Sequence, residues 1–291
     1  MIPQKSSIAL IKKSYKITLD SIKHRPIVYV PFLIFAILET FSLIVLNFAP
    51  RQPLVVVFGP PIKTFLGERF LHYPAYFLLL PKLSALSRMV LSVIFGSFLT
   101  GAAINIIFDL YQKGQVKLGN SLQSALKKYA AFFLIYLLVT VLFYYSMKIC
   151  ASALLKYFMA GHTKLLFLSA KLWLGPLLIC VNFVIAAFIQ SLFIYALPIL
   201  IIDKERLLGS IWKSMAMFKK LFVPTIILVA FPMLIYLPII LLNANSGFLM
   251  SKLFPEFMLI VTFAGIVLSS LVIDPLITIS TTFLYLINKE S

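Results

Sequence analysis

The chain has 291 residues, of which 62% are hydrophobic and only 12% are charged, and its mean hydropathy is +1.03. Soluble domains carry roughly 45–50% apolar and about 25% charged residues, so this composition excludes an ordinary soluble protein. A net charge of +17 would indicate nucleic acid as the partner of a soluble chain. Here the Lys and Arg residues lie between apolar blocks, so we expect anionic lipid headgroups and no nucleic acid.

Six apolar blocks have the length, about 20 residues, that a helix needs to cross a bilayer. We therefore predict an all-α membrane protein with six transmembrane helices in a single domain over 1–291. The first block has no small-residue cleavage site after it and should stay in the protein. Pro224, Pro232 and Pro238 predict kinks in the fifth span. The predicted spans are 26–48, 85–110, 129–150, 172–202, 221–243 and 257–286.

The basic residues between the spans are distributed unequally. With the N-terminus inside, sixteen of the 26 Lys and Arg residues fall in inner segments and ten, Arg88 among them, in outer segments. Because Lys and Arg accumulate in cytoplasmic loops, this bias predicts that both termini lie in the cytoplasm. The outer segment 49–84 is rich in proline, and its apolar stretches are too short to span. We expect an interfacial or re-entrant loop there, either a lid over a cavity or a linker along the membrane.

Three basic segments have apolar residues three or four positions apart, which is the period of an amphipathic helix. The apolar stripes are Ile8, Ile11, Tyr15, Leu19 and Ile22, then Leu118, Leu122, Leu126 and Tyr129, then Leu207, Leu208, Ile211, Trp212, Met215 and Phe218. We predict that each helix lies in the membrane interface with its stripe in the bilayer; the alternative is a connector packed on the bundle. The predicted headgroup contacts are Lys12, Lys13, Lys16, Lys127, Lys128, Arg206, Lys213, Lys219 and Lys220.

Each amphipathic segment precedes a pair of spans, which divides the chain into units 5–112, 117–204 and 206–289. The sequence Ser-Ala-Leu-Lys-Lys at 124–128 leads into one span, and Ala-Met-Phe-Lys-Lys at 216–220 leads into another. All three units enter the membrane from the same side. This predicts three parallel-repeat hairpins, each preceded by a basic amphipathic interfacial helix.

The segment 196–220 leads from an apolar run with proline through a short acidic turn into an amphipathic helix and a new span. This pattern, together with Thr-Thr-Phe-Leu-Tyr at 281–285, resembles the six-helix membrane domain of bacterial glycerophosphoryl diester phosphodiesterases and related uncharacterised integral membrane proteins. The resemblance implies the same topology over nearly the whole chain, in a bacterial cytoplasmic membrane. The chain has no room for that family's soluble phosphodiesterase barrel, so no hydrolase activity is implied.

Two acids lie inside predicted spans, where a charge costs roughly 2.5–3.5 kcal/mol. Glu39 lies in the first span, and Asp274 lies in the last, next to Pro275, which frees backbone carbonyls nearby. The alternative to a functional site is that each acid is protonated or hydrogen-bonded to a neighbouring helix, since no basic residue pairs with either acid within a span. The candidate polar site for protons or cations comprises Glu39, Asp274, Asn105, Asn182 and Gln190.

The sequence contains no nucleotide-binding loop, metalloprotease motif or nucleophile elbow. We therefore predict no catalytic residues, no metal, no cofactor and no enzymatic activity. The expected function is that of a scaffold or of a protein that organises the bilayer of the cytoplasmic membrane. The alternative is a small permease or an export component that uses Glu39 and Asp274. Homo-oligomerisation or a membrane partner protein is compatible with either function.

Overall fold

The computed structural model describes residues 7–114, 116–159 and 164–290, with the helices but not the side chains described within 157–174. Every regular element in these ranges is helical. The helices are α1 (Ser7–His24), α2 (Val30–Phe48), α3 (Val55–Leu66), α4 (Tyr76–Leu91), α5 (Ser97–Lys113), α6 (Leu118–Lys127), α7 (Tyr129–Met159), α8 (Lys164–Phe193), α9 (Ala196–Ile202), α10 (Leu207–Lys220), α11 (Phe222–Leu234), α12 (Leu237–Ala244), α13 (Ser246–Lys252), α14 (Phe257–Leu268) and α15 (Asp274–Lys289). Single π-helical turns at Ser92–Gly96 and Ser269–Ile273 join α4 to α5 and α14 to α15.

Five helices in the described ranges are long and apolar enough to cross a membrane, so the chain is an all-helical, multi-pass membrane protein. They are Pro26–Phe48, Tyr76–Lys113, Tyr129–Lys156, Gly175–Ile202 and Phe257–Lys289. The predicted fifth span, 221–243, is divided into α11 and α12, because Pro232 and Pro238 supply no backbone donors around the break. By length and composition, α10 and α11 taken together are a sixth candidate span, and these two helices meet at 97°.

The second spanning helix begins at Tyr76, whereas the sequence predicts a span that begins at 85. Its first turns belong to the helix because they pack against α2 and α14, where Leu80 is fully buried and the Tyr76 hydroxyl donates to a carbonyl of α2. The predicted loop 49–84 is therefore shorter, and it contains α3, whose Ile62 packs in the same cluster as Leu80. Arg88, assigned above to the outer segments, lies instead inside a membrane-length helix, and that assignment is wrong.

The centre of the bundle is formed by α5, α9 and α15. Ile106, Leu200 and Leu284 belong to one buried cluster there, and Ala102 and Ala103 let the neighbouring backbones approach closely. The most apolar stretches of Tyr129–Lys156 and Gly175–Ile202 are only 11% and 17% buried, against 56% for Tyr76–Lys113. We infer that α7 and most of α8 lie at the periphery and face lipid.

Polar contacts bring several chain segments together at one end of the bundle. Asp203, after α9, accepts hydrogen bonds from the Tyr285 hydroxyl at 2.6 Å and from Lys289 Nζ at 2.5 Å. Arg25, before α2, donates to a carbonyl near the end of α5 at 3.3 Å. Lys128, before α7, donates to a carbonyl of α9 at 2.6 Å. We call this the basic end, and we call the opposite end, which holds α3, the far end.

The three amphipathic helices lie at the basic end and pack against the long helices. α6 packs along α5, α10 along α8 and α9, and α1 along α15 and α11. Small side chains at these contacts let the helices approach one another closely. The buried small residues recur four positions apart, as Ser14 and Thr18, Ser121 and Ala125, and Ser210 and Ser214.

The prediction that each apolar stripe lies in the bilayer is wrong for much of α1 and α6. Ile11 and Tyr15 of α1, and Leu118 and Leu122 of α6, pack against the central cluster, because those faces are turned toward α15 and α5. For most of α1 and α6 the alternative therefore holds, and these helices are connectors packed on the bundle. The stripe residues that stay largely exposed are Ile8, Leu19, Leu126, Leu208 and Trp212.

Candidate functional site

Three charged side chains meet between α2, α4 and α15, within the membrane-length helices. Glu39 lies in the middle of α2 with 2% of its side chain exposed, Arg88 lies on α4, and Asp274 is the first residue of α15. They meet because α2 packs against both α4 and the π-helical turn that precedes α15. We call Glu39, Arg88 and Asp274 the charged triad.

Arg88 is the centre of the charged triad. Its Nε lies 3.2 Å from Glu39 Oε1, and its Nη2 donates to Asp274 Oδ2 at 3.0 Å. Its Nη1 donates to the Ser269 hydroxyl, and the Ser270 hydroxyl donates to Glu39 Oε2. Since a guanidinium holds its donors in a rigid fork, one arginine can bind both carboxylates and fix the positions of two helices relative to a third.

The π-helical turn Ser269–Ile273 supplies both serines of this site. Such turns insert one extra residue into a helix and are frequent at functional sites. Pro275 cannot donate to the carbonyl of Leu271 four residues earlier, and the Tyr29 hydroxyl donates to that carbonyl instead, at 2.5 Å. The expectation that Pro275 frees a carbonyl near Asp274 is confirmed, and the freed group is used to attach the start of α2.

The charges of the triad do not balance, because two carboxylates face one guanidinium. Glu39 Oε1 is close enough to Arg88 for an ion pair, yet the alignment is not that of a hydrogen bond, and this buried oxygen has no hydrogen-bond donor among the described residues. The narrow cleft beside it, lined by Ser42, Ser84 and Ser87, has no room for a water molecule. An ionised triad would carry one negative charge, which a proton or a cation would neutralise.

The predicted polar site is brought together only in part. Glu39 and Asp274 share Arg88, whereas the described hydrogen bonds and ion pairs of the triad include none of Asn105, Asn182 and Gln190. Asn182 lies on α8, and its buried Oδ1 has no hydrogen-bond partner in the described part of the chain.

Sequence reasoning missed Arg88, Ser269 and Ser270. The expectation that no basic residue pairs with the acids within a span is wrong. Arg88 lies within the predicted span 85–110, but it is counted there with the outer basic residues. A usable signal was present, since Arg88 is flanked by Ser84 and Ser87 in a stretch that is otherwise mostly apolar. A lone arginine in such a stretch requires an acidic partner if it enters a membrane.

The predicted headgroup contacts lie at the basic end, and two of them have partners within the protein. Lys213 forms an ion pair with Glu205, and Lys128 donates to the Leu200 carbonyl at 2.6 Å. Burial, and then the charge of Lys204, lower the pKa of Lys128. The exposed contacts are Lys12, Lys13, Lys16, Lys127, Arg206, Lys213, Lys219 and Lys220.

Among the described residues, no three His, Cys, Asp or Glu side chains lie together as a metal site would require. Comparisons with family models, with characterised proteins and with solved structures find no match for this chain. Any functional assignment therefore depends on the charged triad and the basic end.

Proposed function

We propose that this protein is a non-enzymatic scaffold of the bacterial cytoplasmic membrane that collects anionic lipid at its basic end. The observation that carries the proposal is the set of exposed lysines and arginines on α1, α6 and α10. These helices are held on the bundle by their buried small residues, so their charges are presented from fixed positions. Basic residues held at a membrane surface attract anionic lipid by about 1 kcal/mol each.

We also propose the finer architecture of six spans in three parallel-repeat hairpins, 5–112, 117–204 and 206–289, with α11 and α12 as the fifth span. The order of packing supports it. α6 of the second unit lies on the last helix of the first unit, and α10 of the third lies on the last helix of the second. α1 lies on α15, the last helix of the third unit, so the order closes into a ring. The resemblance to the six-helix membrane domains belongs to this proposal.

The basic end is proposed to face the cytoplasm together with both termini. Moving Arg88 out of the outer set strengthens the bias of basic residues on which this orientation rests. Leu208 and Trp212 are 70% and 73% exposed on α10, next to Lys213, and are suited to enter the membrane interface. The 97° angle between α10 and α11 is the angle expected between an interfacial helix and a span.

The test measures the lipids that remain with the full-length protein after extraction from vesicles of phosphatidylglycerol and phosphatidylcholine. We expect phosphatidylglycerol to be enriched around the protein. Replacing Lys12, Lys13 and Lys16 with glutamine should reduce that enrichment several-fold, since roughly 1 kcal/mol is lost with each charge.

The matched control removes the same charge from the far end, as the Arg51→Gln, Lys63→Gln and Arg69→Gln triple variant. Arg51 and Arg69 stack on Phe48 and Phe70, and Lys63 pairs with Glu68, so these bases are already engaged and their loss should change the enrichment little. Equal effects of the two triple variants, or an absence of enrichment around the unmodified protein, would refute the proposal.

A second candidate function is a small permease or export component that uses Glu39 and Asp274. The observation in its favour is the charge imbalance of the triad, with the buried Glu39 Oε1 lacking a hydrogen-bond donor. Proton flux into proteoliposomes that contain a pH-sensitive dye tests this candidate. Glu39→Gln and Asp274→Asn should each abolish the flux, while Ser42→Ala, which changes the wall of the adjoining cleft, should retain it. Normal flux in both carboxylate variants would exclude this function.

A further inference from the structure

A groove of about 430 Å³ opens at the basic end between the start of α7, the end of α9 and the start of α10. This volume lies in the range of roughly 300–1,000 Å³ that is typical of small-molecule sites. Lys127, Lys128 and Lys204 line it together with Glu205, and apolar side chains from α9 and α10 complete the wall.

The charge inside the groove is positive. Glu205 is the acid in its lining, and its carboxylate is already paired with Lys213 outside the groove. Lys128 is directed into the protein, toward the Leu200 carbonyl. Lys127 and Lys204 form no ion pair among the described residues, so two ammonium groups line the groove without a counter-charge.

The backbone at Lys204 ends α9, because Lys204 follows the C-cap residue Asp203. Its φ of 55° lies in the left-handed region, which residues other than glycine adopt at a cost in free energy. No other non-glycine residue in the described ranges has a positive φ. This turn places Lys204 between α9 and α10, where it lines the groove.

An apolar track leaves the groove along α7. Ala130 lines the groove, and Leu134 and Leu138 follow on the same helical face because they lie four and eight positions later. Leu134 is 50% exposed and Leu138 is 36% exposed, on a helix that buries little of its surface. A ligand with a phosphate at one end and an acyl chain at the other matches this combination of charged groove and apolar track.

We propose that this groove binds the headgroup of one anionic phospholipid, with its phosphate between Lys127 and Lys204 and an acyl chain along Ala130, Leu134 and Leu138. Basic pockets between membrane helices are established sites for anionic headgroups. Because the two free lysines supply two positive charges, the groove should prefer a phosphomonoester headgroup over a phosphodiester. This site rests on the proposed function. It adds one specific binding position, for one lipid per chain, to the general attraction of anionic lipid.

The experiment is native mass spectrometry of the full chain in detergent, titrated separately with phosphatidic acid, phosphatidylglycerol and phosphatidylcholine. We expect one tightly retained phosphatidic acid per chain, weaker retention of phosphatidylglycerol and still weaker retention of phosphatidylcholine. The Lys127→Gln/Lys204→Gln double variant should lose about a hundredfold in affinity for phosphatidic acid, since each of the two charge-assisted contacts is worth roughly tenfold.

The matched control is Lys63→Gln/Lys252→Gln, which removes the same charge from exposed positions of α3 and α13, outside the groove and outside the predicted headgroup contacts. It should change the affinity by less than about twofold, because charge–charge attraction through water is screened within roughly 8–10 Å. Ala130→Phe fills the groove while every lysine is kept, and Ala130 is exposed, so this variant should fold and still lose the bound lipid.

Each outcome decides the proposal. Equal losses in the two lysine variants would overturn the groove site and leave the general enrichment of anionic lipid intact. Retention of lipid in Ala130→Phe would also overturn it. Displacement of phosphatidic acid by millimolar inorganic phosphate would assign the groove to soluble phosphate and overturn the lipid assignment. An absence of both enrichment in vesicles and retained phosphatidic acid would refute the proposed function together with the site.

Discussion

Two contacts between membrane helices in this protein are built on opposite principles. The charged seam, where α2, α4 and α15 meet, consists of Glu39, Arg88 and Asp274 with two serines. The apolar seam, between α5 and α7, depends on Gly101, where an added Cβ would lie 2.3 Å from the Phe132 ring. One contact is specified by polar groups that need partners, and the other by the absence of a side chain.

The two seams should therefore be destabilised by different kinds of substitution. Lipid competes well with apolar side chains, so an apolar seam gains its stability from close packing and is sensitive to volume. A buried ionic group finds no substitute partner in lipid, so a charged seam is sensitive to the loss of any one member. The charged seam therefore joins helices that are distant in the sequence and fixes their register.

The largest effect should come from Arg88→Met, which leaves the buried carboxylate of Glu39 and the partly buried carboxylate of Asp274 without a cation. We expect a loss of about 3–5 kcal/mol in the free energy of unfolding, the range for breaking a buried ion pair. Unfolding of the protein in detergent by increasing sodium dodecyl sulfate, followed by circular dichroism, measures it. The control is the triple variant Arg88→Met, Glu39→Gln and Asp274→Asn, which should recover most of the stability. A single variant as stable as the unmodified protein would show that the charged seam does not hold the helices.

The next largest effect should come from Gly101→Ala in the apolar seam. The new methyl group would overlap the Phe132 ring, and overpacking of this kind costs about 1–3 kcal/mol. Gly119→Ala is the matched control, because nothing lies within 4 Å of the position of its Cβ, and it should be neutral or slightly stabilising. The same unfolding titration compares the two variants, and equal stability would remove close packing as the principle of this seam.

A smaller effect is expected for Asp203→Asn, which tests an ionic contact that water can reach. Burial opposes ionisation of Asp203, but hydrogen bonds from Lys289 and Tyr285 outweigh it and hold its pKa below the ordinary value. The stabilisation is thus present above the ordinary carboxyl pKa of about 4 and is lost as the pH falls through the lower, folded-state value. We expect a loss of about 1 kcal/mol at pH 7 and none once both states are protonated. An undiminished loss at low pH would contradict this account.

The smallest effect is expected at the lipid-facing periphery. Val184 on α8 is 64% exposed, so Val184→Ala should change the free energy of unfolding by less than about 0.5 kcal/mol. Phe132→Ala, at a fully buried position of the apolar seam, is the contrasting variant and should cost at least about 1 kcal/mol more, because it leaves a cavity between α5 and α7. A cost at Val184 as large as the cost at Phe132 would show that this face of α8 packs against something other than lipid.

Parts of both seams were predictable. A carboxylate inside an apolar block is visible in the sequence, so Glu39 and Asp274 are predictable as candidate site residues. Gly101 was noticeable only as one of several small residues in its helix, because its importance depends on a ring that belongs to another helix. Arg88 lies inside the predicted span 85–110, but its partners belong to two other helices, so no pattern within one segment identifies the ion pairs.

The sequence alone determined the membrane class, most of the spanning segments, the three amphipathic helices and the two intramembrane acids, because all of these depend on composition and on periodicity within one segment. Tertiary structure alone decided that the acids share Arg88, that the stripes of α1 and α6 face the bundle, and that Lys127 and Lys204 line one groove. The physical reason is the same in each case. A period shows that a helix has two different faces, but only the neighbouring helices decide which of those faces is buried and which partner its side chains meet.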